Sequence, residues 1–172
     1  MKSSVTDLLK FLICFIIFSS ISFSQGFETK PYVEFLGGVG IPAGSFSSAY
    51  PAGVSFTASA GIPIEGTVLV SAQYSLIASK AYEPIVDLSG AMSIPFAPEA
   101  SSTGYFLVGL GGINIKKDWS FGLTTGAGYL FAPEQWRSIY LDVQFKYKRN
   151  FKDIAWQDFS ILAGIGFHLF GE

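Results

Sequence analysis

From Lys30 onward, apolar and polar side chains alternate along the chain with a period of two. A strand turns successive side chains to opposite faces, so each such run predicts a strand with one apolar and one polar face. The pattern is sharpest at Ser138–Lys148. There Ile139, Leu141, Val143, Phe145 and Tyr147 alternate with Tyr140, Asp142, Gln144, Lys146 and Lys148. In Phe159–Phe170, Phe159, Ile161, Ala163, Ile165, Phe167 and Leu169 share one face. Ser160, Leu162, Gly164, Gly166, His168 and Phe170 share the other. Each run is about ten residues, the length a tilted strand needs to cross a bilayer. An amphipathic hairpin of a soluble sandwich fits less well, because the aromatics gather at the strand ends. The apolar face is expected to meet lipid and the polar face a barrel lumen.

Six earlier runs read the same way. Lys30–Ile41 sets Val33, Phe35, Val39 and Ile41 against Tyr32, Glu34 and Gly38. Gly53–Ile62 sets Val54, Phe56, Ala58, Ala60 and Ile62 against Ser55, Thr57 and Ser59. Thr67–Ala78 sets Val68, Val70, Ala72, Tyr74 and Leu76 against Ser71, Gln73 and Ser75. Ile85–Phe96 sets Val86, Leu88, Met92 and Ile94 against Asp87, Ser89 and Ser93. Trp119–Phe131 sets Trp119, Phe121, Leu123, Ala127, Tyr129 and Phe131 against Ser120, Thr124 and a series of glycines. Gly104–Ile115 alternates poorly. Phe106, Val108 and Leu110 share a face, and Ile113 and Ile115 join it only after a slip, so a glycine bulge is expected at Gly111-Gly112. Short turns join the runs with no helical crossover, which makes an antiparallel meander. The fold expected is all-β: an eight-stranded, antiparallel, up-and-down transmembrane β-barrel.

Composition supports this. Aromatics make up 16% and charged residues 14%, against roughly 25% charged in ordinary soluble domains. Net charge is −2, so no basic footprint points to nucleic acid. Residues 1–24 read as a cleaved secretory signal peptide. Lys2 and Lys10 precede the apolar run Phe11–Phe18, and Ser22 and Ser24 stand at −3 and −1 before Gln25. A transmembrane anchor is the alternative, but the apolar run is shorter than the roughly 20 residues a helix needs. Residues 25–172 then form the barrel domain. The single cysteine, Cys14, falls inside the signal segment, so a mature chain would have no thiol chemistry.

Three stretches carry a family resemblance: Gly122–Tyr129, Leu141–Tyr147 and the closing Gly164–Phe170. They look like the end of small OmpA/OmpX-type barrels, and more broadly resemble the outer membrane protein beta-barrel domain family. Pro31–Ser47 resembles that family's opening strand. The resemblance implies a bacterial outer-membrane location, barrel-assembly machinery as a partner during insertion, and no shared catalytic residues. Family members usually end on an aromatic, whereas here Gly171 and Glu172 follow Phe170.

Candidate chemistry is sparse. His168 is the single histidine. A lipid-modifying hydrolase would need a serine beside it and an acid to orient it. In this register His168 faces the lumen at the periplasmic rim, away from outer-leaflet lipid. No His/Cys set or acidic cluster suggests a metal, and no Gly-rich turn leads into a helix to cradle phosphate. No cofactor is expected. Glu34, Gln73, Asp87, Asp142, Gln144, Lys146 and Lys148 all fall on inward positions, where enclosed charges must be paired. They are expected to form a structural polar network filling the lumen, with a narrow ion path as the sharper alternative. Trp119, Phe121, Tyr147, Trp156 and Phe159 should form one aromatic belt. Phe96, Phe131, Trp136, Phe167 and Phe170 should form the other. The function expected is that of a monomeric, non-enzymatic outer-membrane barrel in contact with membrane lipids, serving membrane integrity, surface interaction or small-ligand contact. An outer-membrane lipid-modifying enzyme and a soluble lipocalin-like binder are the alternatives.

Overall fold

The computed structural model describes residues 30–44, 47, 50–64, 68–80, 82–97, 102–132, 138–151 and 156–169. The expected signal peptide, Trp136 and Phe170 lie outside these residues. Eight strands follow one another: β1 (Tyr32–Ala43), β2 (Gly53–Ile64), β3 (Val68–Ser79), β4 (Tyr82–Pro95), β5 (Ser102–Ile115), β6 (Asp118–Phe131), β7 (Ile139–Asn150) and β8 (Gln157–His168). Each pairs antiparallel with the next, and β8 returns to β1, closing a barrel. Closure leaves no sheet edge, which matters wherever water cannot satisfy free backbone groups.

Side-chain direction follows the alternation. Phe35, Phe56, Leu88, Phe106, Val143 and Ile161 point outward and are exposed, while Glu34, Thr57, Ser75, Asp87, Lys146 and Ser160 point inward and are buried. This inverts a soluble barrel, which would bury the apolar set. A surface of this kind is matched to hydrocarbon.

Strand five departs from expectation. Its pairing with β4 and β6 runs through Gly111 and Gly112 without a shift. No bulge moves Ile113 outward. Ile113 stays in phase with Tyr105 and Leu107 and is buried inside the barrel. Among the described residues the register shift lies elsewhere, between Ile77 and Ser79 where β3 meets β4.

The seam between β1 and β8 is tight. A Cβ at Gly38 would collide with the Ile161 carbonyl, and one at Gly164 would collide with the Phe35 carbonyl. Glycine at these two inward positions lets the backbones approach closely enough to curve a narrow barrel shut.

Both ends of the lumen are apolar. At the end holding Tyr32 and His168, here the terminal end, Tyr32, Ala91, Tyr105, Leu107, Leu130 and Tyr140 pack together. At the far end Tyr50, Ile77, Ile85, Ile113 and Trp156 form a second cluster. Trp156 stands edge-on to Tyr50, with ring centroids 5.4 Å apart. It is therefore an internal plug, and the expected belt position for Trp156 is wrong. Its backbone N–H bonds to Asn150 Oδ1 and its indole N–H to Asp158 Oδ1, two buried inward groups that hold the ring inside. Trp119, Phe121 and Phe159 do lie on the outer surface at the far end, as Phe96, Phe131 and Phe167 do at the other.

Candidate functional site

The lumen between the two plugs is built mainly from one strand. Strand β7 sends Tyr140, Asp142, Gln144, Lys146, Lys148 and Asn150 inward, all buried. The facing walls answer with short hydroxyls: Ser55, Thr57 and Ser59 on β2, Ser71 and Ser75 on β3, and Ser89 and Ser93 on β4. Long arms against small residues fill a barrel that is only just wide enough for side chains. Gly166 has the same logic on β8. A Cβ there would land in the Tyr140 ring.

All seven residues singled out from sequence are inward, and hydrogen bonds and one ion pair join them. Lys148 Nζ lies 2.6 Å from Asp87 Oδ2, a pair between β7 and β4 across the lumen. Lys146 Nζ donates to Gln73 Oε1 at 3.1 Å, reaching from β7 to β3 on the opposite wall. Gln144 Nε2 donates to two carboxylates, Asp142 Oδ2 at 2.6 Å and Glu34 Oε2 at 3.2 Å. Ser59 Oγ donates to Glu34 Oε2 at 3.0 Å.

Tyr105, Asp158, Asn150 and Trp156 join the network as well. Tyr105 donates its hydroxyl to Asp142 Oδ2 at 2.5 Å. Its inward direction was already implied by its being out of phase with Phe106. Asp158, fully buried, accepts from Ser160 Oγ at 2.8 Å and from Trp156 Nε1 at 3.3 Å. It shares parity with Ser160 and stands one residue before the expected start of the last strand. Asn150 Oδ1 accepts from the Trp156 backbone N–H at 2.6 Å, and Asn150 Nδ2 donates to Ser120 Oγ at 3.0 Å. Nothing in the alternation identifies Trp156 as their partner.

Chemically, this arrangement encloses charge rather than presenting it, and Asp142 Oδ1 and Gln144 Oε1 remain buried without a hydrogen-bond partner. Each hydrogen bond to an ionised group contributes about 1.5–3 kcal/mol, and leaving such a group buried alone costs at least as much. Beside Glu34, Gln73, Tyr105, Asp142 and Gln144 lies a cavity of about 20 Å³. That holds about one water molecule, whereas small-molecule pockets run to roughly 300–1,000 Å³. His168 stands at the terminal-end rim, its ring 5.1 Å from that of Tyr140.

No family model matches the chain, and no curated protein does. Solved structures match in shape. Neisserial surface protein A superposes with a TM-score of 0.66 at 15% identity, covering 81% of this chain and 97% of that one. The N-terminal β-barrel domain of OprF from Pseudomonas aeruginosa superposes with a TM-score of 0.60 at 15% identity, covering 84% of this chain and all of that domain. The likeness is one of fold. It joins the exterior and the meander topology in describing an eight-stranded transmembrane-type barrel.

Proposed function

We propose that this chain is a non-enzymatic barrel of a bacterial outer membrane, delivered by a cleaved signal peptide, with a filled lumen. It serves membrane integrity, surface interaction or small-ligand contact through its outer faces and rims. The observation that carries this reading is the inversion of the surface: Phe106 is 61% exposed outside while Lys146 is 1% exposed inside. Only a closed barrel or a helix satisfies its backbone in hydrocarbon, and this chain closes. The two solved structures of similar shape, a surface protein and a bacterial β-barrel domain, support the location. The partners in this reading are outer-membrane lipids and, during insertion, the barrel-assembly machinery, and the folded unit is a monomer.

Cell fractionation followed by gel electrophoresis with and without boiling tests it. The protein should partition with outer membranes and migrate faster unboiled, because a folded barrel stays compact in detergent. Recovery in the aqueous phase without detergent would overturn the reading.

A further inference from the structure

Among the described residues, the barrel buries four acids, Glu34, Asp87, Asp142 and Asp158, against two lysines, Lys146 and Lys148. Lys148 pairs with Asp87. Lys146 Nζ donates to the neutral amide oxygen of Gln73. Glu34 and Asp142 draw their hydrogen bonds from neutral donors: Ser59, Gln144 and Tyr105. With Lys146 set against Glu34 and Asp142, one negative charge is left over in this part of the lumen. A charge enclosed in that way must be compensated.

The two acids meet at a single nitrogen, Gln144 Nε2, and the cavity of about 20 Å³ lies beside them. Those two bonds fix the amide's orientation, so its other end is the oxygen. That atom, Gln144 Oε1, and the second oxygen of the neighbouring carboxylate, Asp142 Oδ1, are buried without a hydrogen-bond partner. Both residues are 3% exposed, and both line the cavity. Ser93 and Tyr140, each bearing a hydroxyl, line the same space. The cavity therefore collects acceptor oxygens where negative charge is in excess.

We infer that this cavity binds a monovalent cation of sodium's size, held by Asp142 Oδ1, Gln144 Oε1 and the Glu34 carboxylate. A water molecule can donate to both orphaned oxygens, but it leaves the excess charge in place. A proton shared between Glu34 and Asp142 cancels the charge and leaves Gln144 Oε1 without a partner. An alkali cation answers both, because hard cations take oxygen ligands. Divalent ions fit less well. Magnesium keeps several of its waters, for which a cavity the size of one water has no room, and the charge to be offset is single. The site lies inside the closed sheet, so it goes beyond the membrane reading and does not depend on it.

Urea unfolding of the purified barrel in a zwitterionic detergent tests this, with sodium chloride titrated against choline chloride at constant ionic strength. Sodium should raise the folding equilibrium constant, by about tenfold once its concentration stands ten times above the dissociation constant. Choline, too large for a cavity of one water's size, should not. Glu34→Gln and Asp142→Asn each remove the excess charge, so each should abolish the sodium gain. Gly90→Ala, on the outer wall, should keep it. Equal wild-type stability in the two salts overturns the site, whether or not the variants fold. A sodium gain that survives in both acid variants overturns it as well. Stability that rises on acidification in choline and ignores sodium assigns the charge to a shared proton and overturns the cation. A barrel that stays folded and dissolved without detergent ends the membrane reading and leaves the titration valid.

Discussion

Lys148 on β7 and Asp87 on β4 meet across the lumen at 2.6 Å, with both side chains about 4% exposed. Asp158 on β8 is directly opposite Lys148 in the β7–β8 register and shares its inward face. One cation therefore serves two buried acids. Removing it should cost more than removing either acid. We expect Lys148→Met to destabilise the barrel in lipid vesicles by about 3–5 kcal/mol, the usual penalty for orphaning a buried charge. Asp87→Leu should cost less, because Lys148 keeps Asp158. The double variant Asp87→Leu/Lys148→Met should recover part of the loss. Urea unfolding of the three variants measures this, and equal losses from both single changes would contradict the shared arrangement.

Two glycines should behave oppositely. Gly166 faces the Tyr140 ring, so Gly166→Ala must displace a packed aromatic and should cost about 1–3 kcal/mol. Gly90 is exposed on the outer wall, and a Cβ there meets nothing within 4 Å. Gly90→Ala should therefore be neutral or slightly stabilising in lipid. Pairing Gly166→Ala with Tyr140→Leu should relieve the clash, which separates crowding from a general intolerance of β8.

Val143 and Gln144 are neighbours on β7 with opposite surroundings, 53% and 3% exposed. Val143→Arg puts a charge against hydrocarbon and should cost about 2–4 kcal/mol if the site is near the midplane. Gln144→Arg crowds the lumen but lands beside Glu34 and Asp142, which offsets part of that strain. We expect the outward substitution to be the more damaging, as followed by tryptophan fluorescence during unfolding in vesicles. The reverse order would contradict the face assignment.

The two apolar plugs should make the barrel electrically silent. Planar-bilayer recordings of the purified monomer should show no porin-sized steps, since eight strands leave no aqueous channel once side chains fill the interior. Truncating the far-end plug with Trp156→Ala opens space beside Asn150 and Asp158. Small flickering currents from that variant, absent in the wild type, would locate the barrier there.

Much of this architecture was legible because a period of two is read directly from residues. The inward set from Glu34 to Lys148 follows from parity alone, and so does the outward set from Val33 to Leu169. What was not legible follows from the same rule. Alternation separates apolar from polar positions, so it misleads wherever the interior is itself apolar. Apolar chemistry alone points Ile113 outward and calls for a bulge, whereas the residue keeps its inward parity and lies in the far-end plug. The chemistry of Trp156 suggests a belt, yet it lies outside any strand and its position is fixed by bonds to Asn150 and Asp158 that alternation does not reveal. Asp158 lies within β8, which begins two residues before the apolar alternation does. The actual shift at Ile77/Ser79 carries no glycine to announce it.

The β1–β8 seam has a kinetic consequence. The first and last strands are hydrogen-bonded along the whole length of β1, from Tyr32 opposite His168 to Ala43 opposite Gln157. Contacts so far apart in sequence impose a large loop-closure entropy before they return any energy, which makes folding slow. Until β8 docks, β1 and β7 each present a row of bare amides and carbonyls that lipid cannot satisfy. A half-built intermediate is therefore driven either back out of the bilayer or onward to closure. Insertion and ring closure should proceed as a single concerted event, with the last strand acting as the latch that commits the whole chain.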